Sequence, residues 1–181
     1  MTSIAHIINP VKVKPNSDLS YAQPITFETM RMAKAYAKDI VPVELFSAQY
    51  AEDAGFVPEW FTQTPNLERS VMDFALFKVP RKLPLIYDIL ERLYNATNAE
   101  FLIYTNADIG VVPHFYQAVY YYIQQGYDAF IINRRRISGK YRHVSEIPAI
   151  ISDVGLPHPG FDCFVFHRNL FPLLTLGHIC I

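Results

Sequence analysis

Asp108 follows an all-apolar run, Phe101-Leu102-Ile103-Tyr104-Thr105, with Asn106 two residues before it and Gly110 two after. A carboxylate at the end of a buried strand is a hard oxygen ligand of the kind that holds Mg²⁺ or Mn²⁺, with substrate phosphates completing the shell. The same residues also suit an Asx turn, in which Asn106 or Asp108 only bonds nearby backbone amides. Arg81-Lys82 precedes a helical pattern that starts near Leu83, so two cations and a set of free backbone amides could bind an anion together. A solvated basic pair is the alternative. The run Arg134-Arg135-Arg136 matches a diphosphate in geometry, or else forms a charged surface. Asp162 stands between the turn-rich Leu156-Pro157-His158-Pro159-Gly160 and the apolar Cys163-Phe164-Val165-Phe166. There it could take a proton from a hydroxyl within hydrogen-bond reach, or cap a loop, or pair with Arg168.

The elements that must carry these residues follow from periodicity. Ile4 to Ile8 reads as a buried strand that opens at Asn9-Pro10. Phe27, Met30, Ala33 and Ala37 predict a helix over Thr26 to Lys38. Val41 to Phe46 is β-rich, and Ala48 to Pro65 reads as a long loop. Leu83, Ile86, Leu90 and Leu93 predict a helix over Leu83 to Ala96, with Pro84 in its first turn. The strand Phe101 to Thr105 follows, then a helix from Pro113 to Gly126, then a strand over Asp128 to Asn133. Alternation of this kind predicts an α/β fold, a mostly parallel central sheet flanked by helices. Ligands of such sheets bind beyond the carboxyl ends of the strands, which selects Asn9-Pro10, Glu44 to Gln49, the Asn106-Ala107-Asp108 turn and Asn133-Arg134-Arg135-Arg136.

Composition narrows the function classes. The 181 residues fit a single domain over 1–181, and 51% hydrophobic residues argue against disorder. A net charge of −1 gives no global attraction to nucleic acid, and three arginines are too few to suggest it locally. Two cysteines, Cys163 and Cys180, form neither a disulfide framework nor a zinc motif, which fits a reducing compartment. The amino terminus lacks a leader pattern, and no run nears roughly 20 apolar residues, so the expectation is a cytoplasmic protein without a transmembrane segment. His114, His143, His158, His167 and His178 form no zinc-protease pair, and no Walker, dinucleotide or Gly-x-Ser-x-Gly motif occurs. The end at Leu173 to Ile181 stays apolar to its last residue, which suggests a chain shorter at this end than its relatives, or one that docks there.

Taken in order, Ile7-Ile8-Asn9-Pro10, Arg81-Lys82-Leu83-Pro84, Tyr104-Thr105-Asn106-Ala107-Asp108-Ile109 and His158-Pro159-Gly160-Phe161-Asp162 resemble the GT-A-type nucleotide-diphospho-sugar transferases, in particular a bacterial glycosyltransferase-like group. The resemblance implies a fold related to the Rossmann layout and transfer of a sugar from a nucleotide-diphosphate donor to an acceptor hydroxyl. In that family an Asp-x-Asp motif ends the strand, its last carboxylate holding a divalent metal against the donor diphosphate. Here the first position is Asn106, so the resemblance leaves Asp108 to hold Mn²⁺ or Mg²⁺ alone and Asn106 to contact the donor as a neutral group. It implies donor contacts at Asn9, Pro10, Arg81 and Lys82, and a catalytic base at Asp162. A non-catalytic module that keeps the donor pocket is the alternative. A nucleotidyltransferase ranks last, because Asn9 to Asn16 has no glycine.

Overall fold

The computed structural model describes residues 2–180. Its first strand, Ile4–Ile8 (β1), is buried at every position. That burial fits an unbroken apolar run in a parallel sheet covered on both faces. Parallel neighbours are Val43–Ser47 (β2) on one side and Phe101–Thr105 (β4) on the other, with the short Thr62–Gln63 (β3) beyond β2. The last strand, Leu156–His167 (β6), runs antiparallel between β4 and Ala129–Arg136 (β5). Among the described residues the sheet order is β3-β2-β1-β4-β6-β5. The expected α/β architecture is therefore present: a mixed six-stranded sheet, parallel except for β6.

Period-two alternation sends each strand's side chains to two separate cores. Ile4, Ile8, Ile103 and Val165 pack under Asp18–Ala37 (α1) and Phe115–Gln124 (α3). Ala5, Ile7, Leu102, Tyr104 and Phe166 pack on the opposite face under Ile86–Ala96 (α2). His6 belongs to the first face, fully buried, with its ring nitrogens 2.9 Å from the hydroxyls of Tyr116 and Thr105. Burial holds this imidazole neutral, pushing its pKa down to about 3.

Several boundaries differ from the sequence expectation. Helix α1 begins at Asp18 rather than Thr26 and contains Pro24. Proline removes one helical hydrogen bond and so ends a periodicity argument. The helix is anchored there by Gln23, whose amide brackets the Val11 peptide through bonds to its N–H and its carbonyl at 2.9 Å each. Helix α2 begins at Ile86, not Leu83, because Leu85 forms a β-bridge with Cys180. The loop after β2 carries a 3₁₀ segment, Ala51–Phe56, as well as β3. Strand β5 continues past Asn133 to take in the arginine run, and the turn-rich lead to Asp162 is itself strand. No helix among the described residues is long and apolar enough to cross a membrane.

Candidate functional site

Asp162 owes its position to a defect in the β5–β6 ladder. Ile132 pairs with Cys163 but Asn133 pairs with Phe161, which leaves Asp162 as an extra residue on β6, and a second register shift follows before Arg135. Bulges of this kind re-aim side chains. Cys163 belongs to the α1-side core, and Asp162, freed from alternation, lines a cleft on that same side. Gly160 allows the chain to fold this tightly. A Cβ there would lie 2.7 Å from His158 Cε1, 2.9 Å from His158 Nδ1 and 3.2 Å from Asp162 Oδ2. The Gly160 N–H donates to His158 Nδ1 at 2.9 Å.

Arg134 completes this cluster. Its Nε lies 2.9 Å from Asp162 Oδ2 and 3.2 Å from His158 Nδ1, and the Arg134 and Asp162 side chains are 29% and 16% exposed. The N–H is directed at His158, so the contact with Asp162 is an ion pair without a directed hydrogen bond. Oδ2 is shielded from solvent and receives no hydrogen bond. A buried acceptor left open is uncommon in native proteins and calls for a reason.

The cleft has a volume of about 760 Å³ and lies beyond the carboxyl ends of β4 and β5, between the first turns of α1 and the short helix Ile147–Ser152 (α4). Asp108 lines it and is exposed, with Asp162 and all three residues of the arginine run on the same walls. Arg135 is bound to the carbonyls of Val154 and Gly155. Gly155 is in the left-handed region at φ +60°, and a Cβ there would come 2.7 Å from the Arg136 carbonyl oxygen. That close turn fixes the end of β5 against the start of β6. Arg142 enters from the following loop, its guanidinium 4.8 Å from the ring centre of Tyr21 on α1. Burial, with the carboxylates of Asp108 and then Asp162 adding to it, pushes the Tyr104 hydroxyl well above its ordinary pKa. Burial pushes the Cys163 thiol up to about 12, which favours its protonated form.

The remaining residues singled out in the sequence lie outside this cleft. The Asn9 amide donates to the Ala48 carbonyl at 2.5 Å and is buried between the ends of β1 and β2. Pro10 beside it is also buried. Asn106 follows Tyr104 to the α2 side, where its Oδ1 accepts the Tyr104 hydroxyl at 2.8 Å. Asn106 and Asp108 thus do not act as a pair. Arg81 and Lys82 are separated from the start of α2 at Ile86 by non-helical residues, with the Leu83 N–H donating back to the Arg81 carbonyl, so they do not adjoin its first turn. Lys82 instead pairs with Glu52 at 2.5 Å and sits 3.8 Å from the centre of the Tyr50 ring. Arg168, the alternative partner for Asp162, caps the carbonyls of Thr97 and Tyr94. Arg142 carried no signal beyond being a lone cation, and His158 appeared only within the segment leading to Asp162; the fold brings both here.

No cluster of three or more His, Cys, Asp or Glu side chains capable of holding a metal by itself occurs among the described residues. Asp108 fits a hard cation in a different way, as one carboxylate whose partners are ligand phosphates and water.

Sheet order, the single antiparallel strand and a cleft at the carboxyl ends are those of a GT-A-like fold. The backbone is similar to that of glucosyl-3-phosphoglycerate synthase from M. tuberculosis, with a TM-score of 0.52 and 14% identity, covering 93% of this chain and 59% of that one. It is similar to S. aureus TarS 1-349, solved in complex with UDP-GlcNAc, with a TM-score of 0.52 and 8% identity over 94% of this chain and 47% of that one. Rv0371c from Mycobacterium tuberculosis H37Rv aligns with a TM-score of 0.51 and 13% identity over 98% of this chain and 77% of that one. At such identities the likeness is one of fold. No protein-family model and no curated protein matches the chain.

Proposed function

We propose that this chain binds a nucleotide-diphospho-sugar at the Asp108 end of the cleft and transfers the sugar to an acceptor hydroxyl beside Asp162. The observation that carries the reading is the meeting of Asp108 and Asp162, far apart in sequence, in one cleft at the carboxyl ends of the strands. Two of the structures similar in fold are, by name, a glucosyl-phosphoglycerate synthase and a protein solved with UDP-GlcNAc, which supports the donor class.

Asp108 would hold Mn²⁺ or Mg²⁺ together with the donor diphosphate, and that cation would supply charge stabilisation of the departing nucleoside diphosphate. Asp162 does the proton work. The carboxylate lines the cleft, and its Oδ1, the oxygen turned away from Arg134, accepts the hydrogen of the acceptor hydroxyl. As that proton leaves, the hydroxyl oxygen bonds to the anomeric carbon. The bond from that carbon to the diphosphate oxygen breaks, and its electron pair departs with the nucleoside diphosphate. Arg134, held on His158, keeps the Asp162 carboxylate facing the cleft.

Calorimetric titration with uridine and guanosine diphosphates, with and without Mn²⁺, tests the donor site. Binding that strengthens with Mn²⁺ and is lost in Asp108→Asn is expected, with transfer falling by about 10²-fold or more. No binding of either nucleotide under any condition would reject the reading. A non-catalytic module that keeps the donor pocket is the second reading. It is favoured by the engagement of Asp162 with Arg134 and by the Asn9 amide being taken up by Ala48. Nucleotide binding with neither donor hydrolysis nor transfer selects it.

A further inference from the structure

We infer that the acceptor carries an anionic group, a phosphate or carboxylate, which Arg136 and Arg142 hold at the far end of the cleft. This rests on the transfer reading above and names the acceptor's chemical class.

Across the sheet, β6 separates β4 from β5, so the functional residues fall in rank: Asp108 after β4, Asp162 on β6, and Arg136 on β5. Two strand spacings put β5 ~10 Å from β4. The proton acceptor must lie between the donor's reacting carbon and the body of the acceptor. With the donor at Asp108, groups on the other side of Asp162 therefore face the acceptor. Ile132 is level with Cys163, which is level with Thr105, and Arg136 lies four residues further along β5. At strand rise that carries it ~13 Å past the end of β4, toward the mouth of the cleft.

Arg134 is paired with Asp162, and Arg135 is held by the carbonyls of Val154 and Gly155. Asp153 is engaged by the Gly155 N–H and the Tyr141 hydroxyl, which hold its carboxyl below the usual range. Asp18, on the first turn of α1, is the other carboxylate of these walls beside Asp108 and Asp162. Arg136 and Arg142 have no carboxylate partner among the described residues. The Arg142 guanidinium instead lies over the Tyr21 ring, 4.8 Å from its centre. Two guanidinium groups without carboxylate partners, one carried by a strand and one over an aromatic ring, line the same cleft and supply donors suited to the oxygens of a phosphate or carboxylate.

The test compares Arg136→Ala/Arg142→Ala with the unaltered chain, using glycerol phosphate, glycerate and neutral glycerol as probes in NMR titrations. Both side chains are exposed, and thermal melts confirm that the variant is folded. Glycerol phosphate or glycerate should bind where glycerol does not, and whichever binds better assigns the anion. The double variant should weaken that binding on the order of tenfold or more, while affinity for uridine diphosphate with Mn²⁺ stays within about twofold. Equal anion binding in the variant, or none in the unaltered chain, overturns the inference. Parallel loss of nucleotide affinity overturns it too, because the arginines would then serve the donor diphosphate. Failure of the unaltered chain to bind any nucleotide while the anion contrast persists rejects the transfer reading and leaves an anion site at these arginines.

Discussion

Gly160 is the residue on which the geometry of the proposed base depends. It needs no unusual backbone angle; what it supplies is the space a side chain would fill, since an added methyl would strike the His158 ring and crowd Asp162 Oδ2. Gly160→Ala must therefore move His158 and, through it, the Arg134–Asp162 pair. The expected result is a loss of transfer on the order of tenfold to a hundredfold with about 1–2 kcal/mol of stability, because the bulge lies near the exposed end of β6. Activity and thermal melting measured together decide the matter: full activity would show that Asp162 does not need this placement. In the sequence Gly160 stands in a turn-rich lead and in the His158-to-Asp162 segment that carries the resemblance, and two prolines and a glycine point to a turn. Pairing with β5 made it strand instead.

At the level of elements, the ends of β1 and β2 are joined by the Asn9 side chain. Its amide nitrogen donates to the Ala48 carbonyl in a buried site. Asn9→Ala leaves that carbonyl without this donor and should cost about 1–2 kcal/mol in chemical denaturation. Nucleotide affinity should not change, since the cleft does not reach this loop. A variant of undiminished stability with weakened uridine diphosphate binding would return Asn9 to the donor site. The same comparison explains Asn106. Sequence spacing sets it two residues from Asp108, but the Tyr104 hydroxyl holds it on the α2 side, and the turn at Ala107-Asp108 after the end of β4 carries Asp108 into the cleft. Spacing along a chain says which residues are near in sequence; the face of the sheet decides which of them can share a ligand.

For the molecule as a whole, the buried His6 links folding to pH. In the unfolded chain its imidazole takes a proton near pH 6.5, while in the folded chain it stays neutral down to about 3. The unfolded state therefore binds the extra proton in that interval. The stability is fully present above 6.5 and is lost as pH falls, by up to about 1.4 kcal/mol per pH unit. Denaturant melts at pH 7.5 and 5.0 should show the loss, and His6→Asn should flatten it; an unaltered slope in that variant would assign the effect elsewhere. What the sequence by itself determined was the alternation of strands and helices, hence the α/β layout and the strand end that presents Asp108. Those follow from local periodicity and burial, which each segment carries within itself. The bulge that aims Asp162, the pairing of Arg134 with it, and the arrival of Arg142 at the cleft were decided only in the tertiary structure. They depend on the register between β5 and β6 and on a loop packed against α1, and contacts between distant segments leave no period in the chain to read.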